Sequence, residues 1–382
     1  MTGPSLRGPS LRDFLDNASA VMPAPASPAD PRPRRFHRSM PGYAPSALAD
    51  APGAAEQLGL ERLVVKLEVE RFGLPSFKIL GASWAVCRAL SARAGRAEPA
   101  ATFDELARLA RAEPGELTLV SATDGNHGRA VARMARLLGL RARILVPEHT
   151  VAARIAAIAG EGADVEVVRG TYDDAVALAA AASDEHRLVI SDTSWPGYED
   201  VPGWVADGYA TIFGELEEQL PAPPALAAVQ IGVGALASAA VRALGAPRRV
   251  LVGVEPDDAA CVLAAVRAGA PMLVPGPHRS IMVGLSCGLA SQLALPEMAR
   301  GISAFCAIDD RAAVAAVRML FADGLRCGET GASGVAGLLA LRERWPARTW
   351  ERLGLGPRPV ALAICTEGPT DPESFARITA GG

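Results

Sequence analysis

The stretch Leu117-Thr-Leu-Val-Ser-Ala-Thr-Asp-Gly-Asn-His-Gly128 decides the fold class of this chain. It begins with an apolar run typical of a buried strand, and a polar turn then leads into residues 125–138, which are predicted to form a loop and a helix. Glycine in the turn allows close backbone approach, and free N–H groups at a helix start can bind an anion. A plain turn with an aspartate cap is the alternative, but this turn carries more polar side chains than a cap needs.

The same alternation of short apolar strands and amphipathic helices continues along the chain. Strands are predicted at residues 63–68, 117–121, 142–146, 164–168, 188–191, 227–232, 250–255 and 360–365. Helices are predicted at residues 80–92, 103–111, 125–138, 152–158, 172–182, 209–220, 311–322 and 333–345, with one more ending at 244. This pattern predicts an α/β protein with two open, twisted, mostly parallel sheets covered by helices on both faces. The proline-rich first 50 residues are expected to form an irregular arm.

Composition excludes several classes of protein. The chain has 382 residues, a net charge of -4 and no basic excess, so a nucleic-acid partner is not expected. It has no apolar run of membrane-spanning length and no apolar signal core at its N-terminus. The 6 cysteines are too few for a disulfide scaffold, and the 5 histidines lack metal-ligand spacing. We therefore expect a cytoplasmic enzyme without a metal or membrane.

Lysine is scarce in this chain. Only Lys66 and Lys78 occur among 38 basic residues. Lys66 lies inside a predicted strand and is predicted to be structural, so Lys66→Arg should leave the chemistry largely intact. Lys78 follows Arg71-Phe-Gly-Leu-Pro-Ser-Phe77, and a lysine between a phenylalanine and an apolar helix start would be partly desolvated. Desolvation lowers the pKa of an amine and makes it a better nucleophile. A surface lysine whose stem packs on a helix is the usual alternative.

A second glycine-rich turn follows the predicted strand at residues 227–232. Gly232-Val-Gly-Ala-Leu-Ala237 matches the dinucleotide-binding pattern, and Glu255 lies at the end of the next strand, where an acid would bind a ribose. This favours a nicotinamide-dependent oxidoreductase as one hypothesis. The same glycines would suit any phosphate held at a helix start, and the oxidoreductase hypothesis leaves Lys78 and Asn126 without a role.

The order of these motifs resembles a known family. A Pro-Ser-Phe-Lys stretch, Gly-Asn-His-Gly, a glycine-rich loop and a small polar residue after the last strand resemble the fold-type II pyridoxal phosphate enzymes, the tryptophan synthase β-like group. Within it the chain is most similar to diaminopropionate ammonia-lyases, from about residue 36 to 375. The stretches that narrow the resemblance are Phe36-His-Arg-Ser39, Thr123-Asp-Gly-Asn-His-Gly128, Asp192-Thr-Ser-Trp195 and Thr366-Glu-Gly-Pro-Thr-Asp371.

The resemblance implies a role for each matching residue. Lys78 would form the Schiff base with pyridoxal 5'-phosphate, and Asn126 would bind the 3′ oxygen of its ring. Cys365 would lie near the pyridine nitrogen, with Thr366 as the other candidate. Asp124 and Asp192 would be acidic catalytic residues near the substrate. The phosphate would lie on the backbone of Gly232, Val233, Gly234, Ala235 and Leu236, and the substrate carboxylate near Ser76 and Thr123.

The implied reaction is the α,β-elimination of 2,3-diaminopropionate to pyruvate and ammonia. A serine or threonine type of dehydratase, or a β-replacement enzyme of the same fold, would use the same constellation. Leu289 stands where the resemblance leads us to expect an acid, which leaves the β-substituent open. The resemblance also implies a homodimer. We expect a large cofactor-binding domain from residues 1–85 and 200–382, and a small substrate-side domain from residues 86–199.

Overall fold

The computed structural model describes residues 11–17, 20, 30–123, 125–170, 172–222, 224–245 and 249–381. Over these residues the strands are β1 (Leu11–Asp16), β2 (Ala47–Asp50), β3 (Arg62–Leu67), β4 (Thr118–Ala122), β5 (Arg141–Pro147), β6 (Asp164–Val168), β7 (Arg187–Val189), β8 (Leu226–Gln230), β9 (Val250–Pro256), β10 (Ala304–Ile308) and β11 (Val360–Cys365).

The first helices of the same residues are α1 (Arg32–Ser39), α2 (Pro52–Leu58), α3 (Lys78–Arg93), α4 (Phe103–Ala112), α5 (Asn126–Leu138), α6 (Ala152–Ala159), α7 (Tyr172–Ala181) and α8 (Asp200–Gly208). They are followed by α9 (Ala210–Gln219), α10 (Ala235–Leu244), α11 (Cys261–Ala268), α12 (Leu295–Gly301), α13 (Asp310–Ala322), α14 (Ser333–Arg344), α15 (Thr349–Arg352) and α16 (Pro372–Ala380). None of the described helices is both long and apolar enough to cross a membrane.

The strands form two sheets, as the sequence predicts. The larger has the order β1-β10-β9-β8-β11-β3-β2, and the smaller has the order β6-β5-β4-β7. The smaller sheet is parallel throughout, whereas the larger is parallel except for its two edge strands, β1 and β2. Every residue of β8, β9 and β10 is buried, because helices cover both faces of the larger sheet. The prediction of an α/β fold with two mostly parallel sheets is confirmed.

The expectation of an irregular N-terminal arm is wrong for three segments, one of which is β2 at residues 47–50. Residues 11–16 form β1, which pairs antiparallel with β10 at the edge of the larger sheet. Residues 32–39 form α1, with Pro33 in its first turn, where a missing N–H costs no helical hydrogen bond. Residues 21–29, which carry the rest of the predicted proline-rich stretch, lie outside the described part of the chain.

The Phe36-His-Arg-Ser39 stretch anchors α1 to the interior. The His37 side chain is fully buried. Its Nε2 donates to the carbonyl oxygen of Leu80 at 3.0 Å, in the first turn of α3, and its Nδ1 accepts from the Thr211 hydroxyl of α9 at 2.7 Å. His37 therefore joins three helices behind the residue that begins α3, Lys78.

A buried ion-pair cluster holds the turn that leads to Lys78. Arg71 and Leu74 exchange backbone hydrogen bonds of 2.8 and 3.0 Å. The Arg71 guanidinium binds the Glu68 and Glu215 carboxylates, and Lys66 binds Glu215 at 2.7 Å. All four side chains are at most 1% exposed. Each charge is paired, as burial requires, and the cluster ties the turn to β3 and α9.

Candidate active site

The carboxyl ends of strands from both sheets meet around one pocket. The start of α3 closes one side of it, and the loops after β4, β7, β8 and β11 form the others. Ligand sites in open α/β sheets lie at this edge. The pocket is lined, among other residues, by Lys78, Thr123, Asn126, His127, Asp192, Tyr209, Gln230, Gly232, Val233, Gly234, Ala235, Leu236, Thr366 and Glu367.

Lys78 reaches into this pocket as an ion pair. Its Nζ lies 2.7 Å from Oδ2 of Asp192, with the two side chains 21% and 9% exposed. The segment before it is fixed by the residues that follow β11, because Gly368 donates from its N–H to the Pro75 carbonyl at 2.9 Å and Phe77 donates to the Thr366 carbonyl at 3.3 Å. The amine is thus partly withdrawn from water but still accessible.

Asp192 carries the negative charge of the pair. Burial would raise the pKa of Asp192, but the charges of His127 and Lys78 outweigh it and hold the pKa well below its usual range. His127 Nε2 donates to the Ile190 carbonyl at 3.0 Å, and its Nδ1 lies 3.8 Å from Oδ2 of Asp192. Asp192 therefore stays ionised between a lysine and a histidine.

The loop opposite Lys78 is built for an anion. It joins β8 to α10, whose first residue is Ala235, so the N–H groups of a helix start face the pocket. Gly234 has φ +109°, and a Cβ there would lie 2.3 Å from the terminal methyl of Met298. A side chain would be both strained and blocked, which leaves bare backbone free to approach a phosphate.

A hydroxyl faces the same space from the end of β11. Thr366 Oγ1 accepts a hydrogen bond of 2.8 Å from the side-chain amide of Gln230, which also donates to the Ile364 carbonyl at 2.9 Å. Since one lone pair of Thr366 is used in this way, its own O–H can donate into the pocket. The pocket thus offers an amine for an aldehyde, a helix start for a phosphate and a hydroxyl for a ring nitrogen. These groups together suit a cofactor that carries all three.

Comparison with known proteins agrees with this geometry. A sequence model of the family described as pyridoxal-phosphate dependent enzyme matches residues 40–350. The diaminopropionate ammonia-lyase of Escherichia coli K12 is 33% identical over 360 residues, which cover 90% of this chain and 89% of that protein. The Salmonella typhimurium protein of the same name is 34% identical, with 91% of each chain covered.

The chain belongs to the diaminopropionate ammonia-lyase family. A solved structure of the Escherichia coli family member, in complex with D-serine, has a TM-score of 0.86, 30% identity and 97% coverage of both chains. A tomato threonine deaminase shares the fold with a TM-score of 0.71 at 20% identity. The predicted cofactor, pyridoxal phosphate, is confirmed by the family.

Two observations argue against the nicotinamide-dependent oxidoreductase hypothesis: the family to which the chain belongs and the position of Glu255. This carboxylate is fully buried and accepts from the N–H groups of Val262 and Leu263 at 2.7 and 2.8 Å. Both of its oxygens cap the start of α11, and Glu255 does not line the pocket. Burial raises the pKa of Glu255 to about 8. The glycine pattern at Gly232 is therefore not accompanied by an acid that could bind a ribose.

The expectation for Cys365 needs a correction. Its sulfur forms a disulfide with Cys327 and is 1% exposed, so no thiol is available to a ring nitrogen. The low cysteine count had not suggested any disulfide. The last residue of β11 points into the core of the larger sheet, and the next residue, Thr366, points to the pocket instead. Alternation of side chains about a strand end explains this, so Thr366 is the one of the two candidates that lines the pocket.

Asn126 shares the pocket with a carboxylate that sequence reasoning missed. Its side-chain amide donates to Glu367, which is 3% exposed. Burial raises the pKa of Glu367, and the charge of Arg154 opposes this. The available signal was the position of Glu367, directly after Thr366, the first residue past the last strand. His127, Gln230 and Tyr209 also line the pocket and were not assigned roles from sequence.

The remaining predicted residues differ in placement. Thr123 lines the pocket, and its hydroxyl oxygen accepts from the Gly125 N–H at 2.9 Å. Ser76 is 2% exposed and pairs through its backbone with Glu367, beside the pocket lining. Asp124 lies outside the described residues. Among the described residues no group of three or more histidine, cysteine or acidic side chains could hold a metal ion.

Proposed function

We propose that this chain binds pyridoxal phosphate and eliminates the β-amino group of 2,3-diaminopropionate, with pyruvate and ammonia as products. The observation that carries the proposal is the Lys78–Asp192 ion pair, 2.7 Å long, facing a glycine-rich helix start. It occurs in a chain that matches diaminopropionate ammonia-lyases over nine-tenths of its length. A dehydratase acting on serine or threonine is the alternative.

Four groups would hold the cofactor. The backbone from Gly232 to Leu236 would bind the phosphate, and Asn126 would bind the ring oxygen. Thr366 would donate its hydroxyl hydrogen to the ring nitrogen, which keeps that nitrogen unprotonated and favours elimination over transamination. Lys78 would be the covalent attachment point. When bound, pyridoxal phosphate supplies an electron sink for negative charge at the substrate α-carbon.

The chain's own residues would then handle the protons. The Nζ of Lys78, released when substrate replaces it, accepts the α-proton and later returns a proton to the departing β-nitrogen. Asp192, kept ionised by its neighbours, is better suited to hold the β-ammonium group than to donate a proton. Asp124 is proposed as a second base that reaches the α-carbon from the opposite face. Thr123 and Ser76 would help to place the substrate carboxylate.

A substrate panel scored for two products tests the function. Diaminopropionate consumes one water and yields one pyruvate and two ammonia molecules, whereas serine yields one pyruvate and one ammonia. We expect kcat/KM to be highest for 2,3-diaminopropionate, with two ammonia molecules per pyruvate. A higher kcat/KM for serine or threonine, or for replacement of the β-group by an added nucleophile, would overturn the proposed substrate.

The organisation around this site is also proposed. Residues 86–199 would form the small substrate-side domain and residues 1–85 and 200–382 the large cofactor-binding domain. The chain would act as a cytoplasmic homodimer. The division into two domains is supported by the smaller sheet, which contains β4 to β7 and no strand from outside residues 86–199. Light scattering of the eluting protein would test the dimer, with a monomer mass as the contrary result.

A further inference from the structure

A phenol hydroxyl beside Lys78 is the most conspicuous unused group in the pocket. Tyr209 is fully buried, lines the pocket and makes no hydrogen bond of normal geometry with any described residue. A buried polar atom without a partner costs free energy, so folded proteins rarely retain one without a reason. Neither the sequence motifs nor the proposed proton transfers give this hydroxyl a role.

The packing of Tyr209 directs its hydroxyl towards the first turn of α3. A Cβ added at Gly81 would lie 2.6 Å from Cε1 and 2.8 Å from Cζ of Tyr209, the carbon that bears the hydroxyl. The preceding Gly208 lies against the Leu80 carbonyl. The ring also contacts Phe77, with centroids 4.6 Å apart. Two glycines in contact thus let the phenol approach the turn that begins with Lys78.

Lys78 and Tyr209 line the same pocket. Burial raises the pKa of Tyr209 well above its usual range, while the Lys78 amine lowers it and Asp192 raises it. The phenol therefore remains protonated at any pH at which the enzyme works. It is a neutral hydroxyl, with an oxygen that can accept from the lysine.

We propose that Tyr209 is a positioning residue for Lys78, whose hydroxyl oxygen accepts one amine N–H while Asp192 accepts another. A neutral amine has two N–H groups and one lone pair. With both N–H groups held, the lone pair has one direction left, towards the substrate α-carbon. The catalytic consequence rests on the proposed function, but the contact with Lys78 does not.

The scarcity of lysine makes a direct test possible. In protein labelled with ¹³C-lysine only two lysines give signals, Lys66 and Lys78, and the Lys78→Arg variant assigns them. The titration is measured on the full-length cofactor-free chain, a state in which the Escherichia coli relative has been crystallised. Tyr209→Phe should lower the pKa of Lys78 by roughly one unit, because the ammonium loses an acceptor. The shift should be larger in an Asp192→Asn background, where the Tyr209 oxygen no longer competes with a charged carboxylate for the ammonium.

Stability and kinetics separate positioning from a structural role. Tyr209→Phe keeps the buried ring and its packing and removes only the hydroxyl, so its unfolding midpoint should stay near that of the wild type, while kcat falls roughly tenfold and KM changes little. Tyr43→Phe is the matched control, since that phenol donates to Glu215 at 2.9 Å and does not line the pocket. It should leave the Lys78 titration unchanged.

An unchanged Lys78 titration in Tyr209→Phe overturns the inference. So does a lower unfolding midpoint with a proportionate loss of activity, because that result is the signature of a structural tyrosine. A wild-type protein that releases no pyruvate from any amino acid overturns the proposed function instead, and the titration of the cofactor-free chain still decides the role of Tyr209.

Discussion

His37 should make the stability of this protein depend on pH in a defined direction. It is fully buried and neutral, with Nε2 donating to Leu80 and Nδ1 accepting from Thr211. Burial, followed by the charge of Arg71, lowers the pKa of His37 to about 3 from an ordinary value of 6.5. Because the folded-state pKa is depressed, the unfolded chain binds a proton below pH 6.5 that the folded chain refuses.

The size of the effect follows from those two pKa values. The contribution of His37 is complete above pH 6.5 and is lost as the pH falls towards 3. The loss amounts to about 1.4 kcal/mol per pH unit, or about 2 kcal/mol at pH 5, against an unfolding free energy of roughly 5–15 kcal/mol for a typical domain.

The His37→Gln variant isolates this contribution. Glutamine cannot titrate, and its amide can still donate to the Leu80 carbonyl. We expect urea unfolding, followed by tryptophan fluorescence, to show that the wild type loses about 2 kcal/mol more than the variant between about pH 7.5 and pH 5. Parallel stability curves for the two proteins over that range would refute the assignment of His37 as a buried neutral residue.

Three further substitutions, two of them with a matched control, test the proposed site. Lys78→Ala should abolish both pyruvate formation and the absorption band that borohydride bleaches; a variant that kept both would contradict its role. Thr366→Val should weaken cofactor binding and raise the proportion of transamination, whereas Cys365→Ser should not raise that proportion, measured by cofactor absorption. Gly234→Ala should reduce cofactor affinity roughly tenfold or more, as measured by fluorescence titration. Gly269 also has a positive φ, +68°, but a Cβ there would have no neighbour within 4 Å, so Gly269→Ala should keep the affinity. Equal losses in the two variants would contradict the steric argument.

Local patterns predicted most of the interior elements. The strand at residues 164–168 is predicted with its observed ends, because its valines, which favour strands, lie between turns and are readable from the chain alone. The entirely apolar Ala304–Ile308 strand is not among the predicted strands, and neither is β1. Those two strands pair with each other across almost 300 residues, and no local pattern encodes that partnership.

The candidate site was predictable only where it coincides with a motif. Lys78, Asn126 and the Gly232 loop lie in glycine-rich or otherwise marked stretches, and the structure brings them together. Gln230 and Tyr209 were missed because one ends an apolar strand and the other joins two ordinary helices. Their relevance comes from which strand ends and helix corners meet, and that is decided by tertiary packing.

Replacement of Lys66 by arginine should affect stability rather than catalysis. Lys66 is fully buried and donates to three acceptors, Glu215, the Ser46 carbonyl and Gln219, at 2.7 to 2.9 Å. A compact ammonium can satisfy this arrangement, but a planar guanidinium is larger and has a different fork of donors. Lys66→Arg should therefore lower the unfolding free energy by about 1–3 kcal/mol, while kcat per folded molecule stays near that of the wild type. Urea unfolding and active-site titration measure the two quantities separately. A Lys66→Arg protein as stable as the wild type would mean that the cluster around Arg71 accepts either cation.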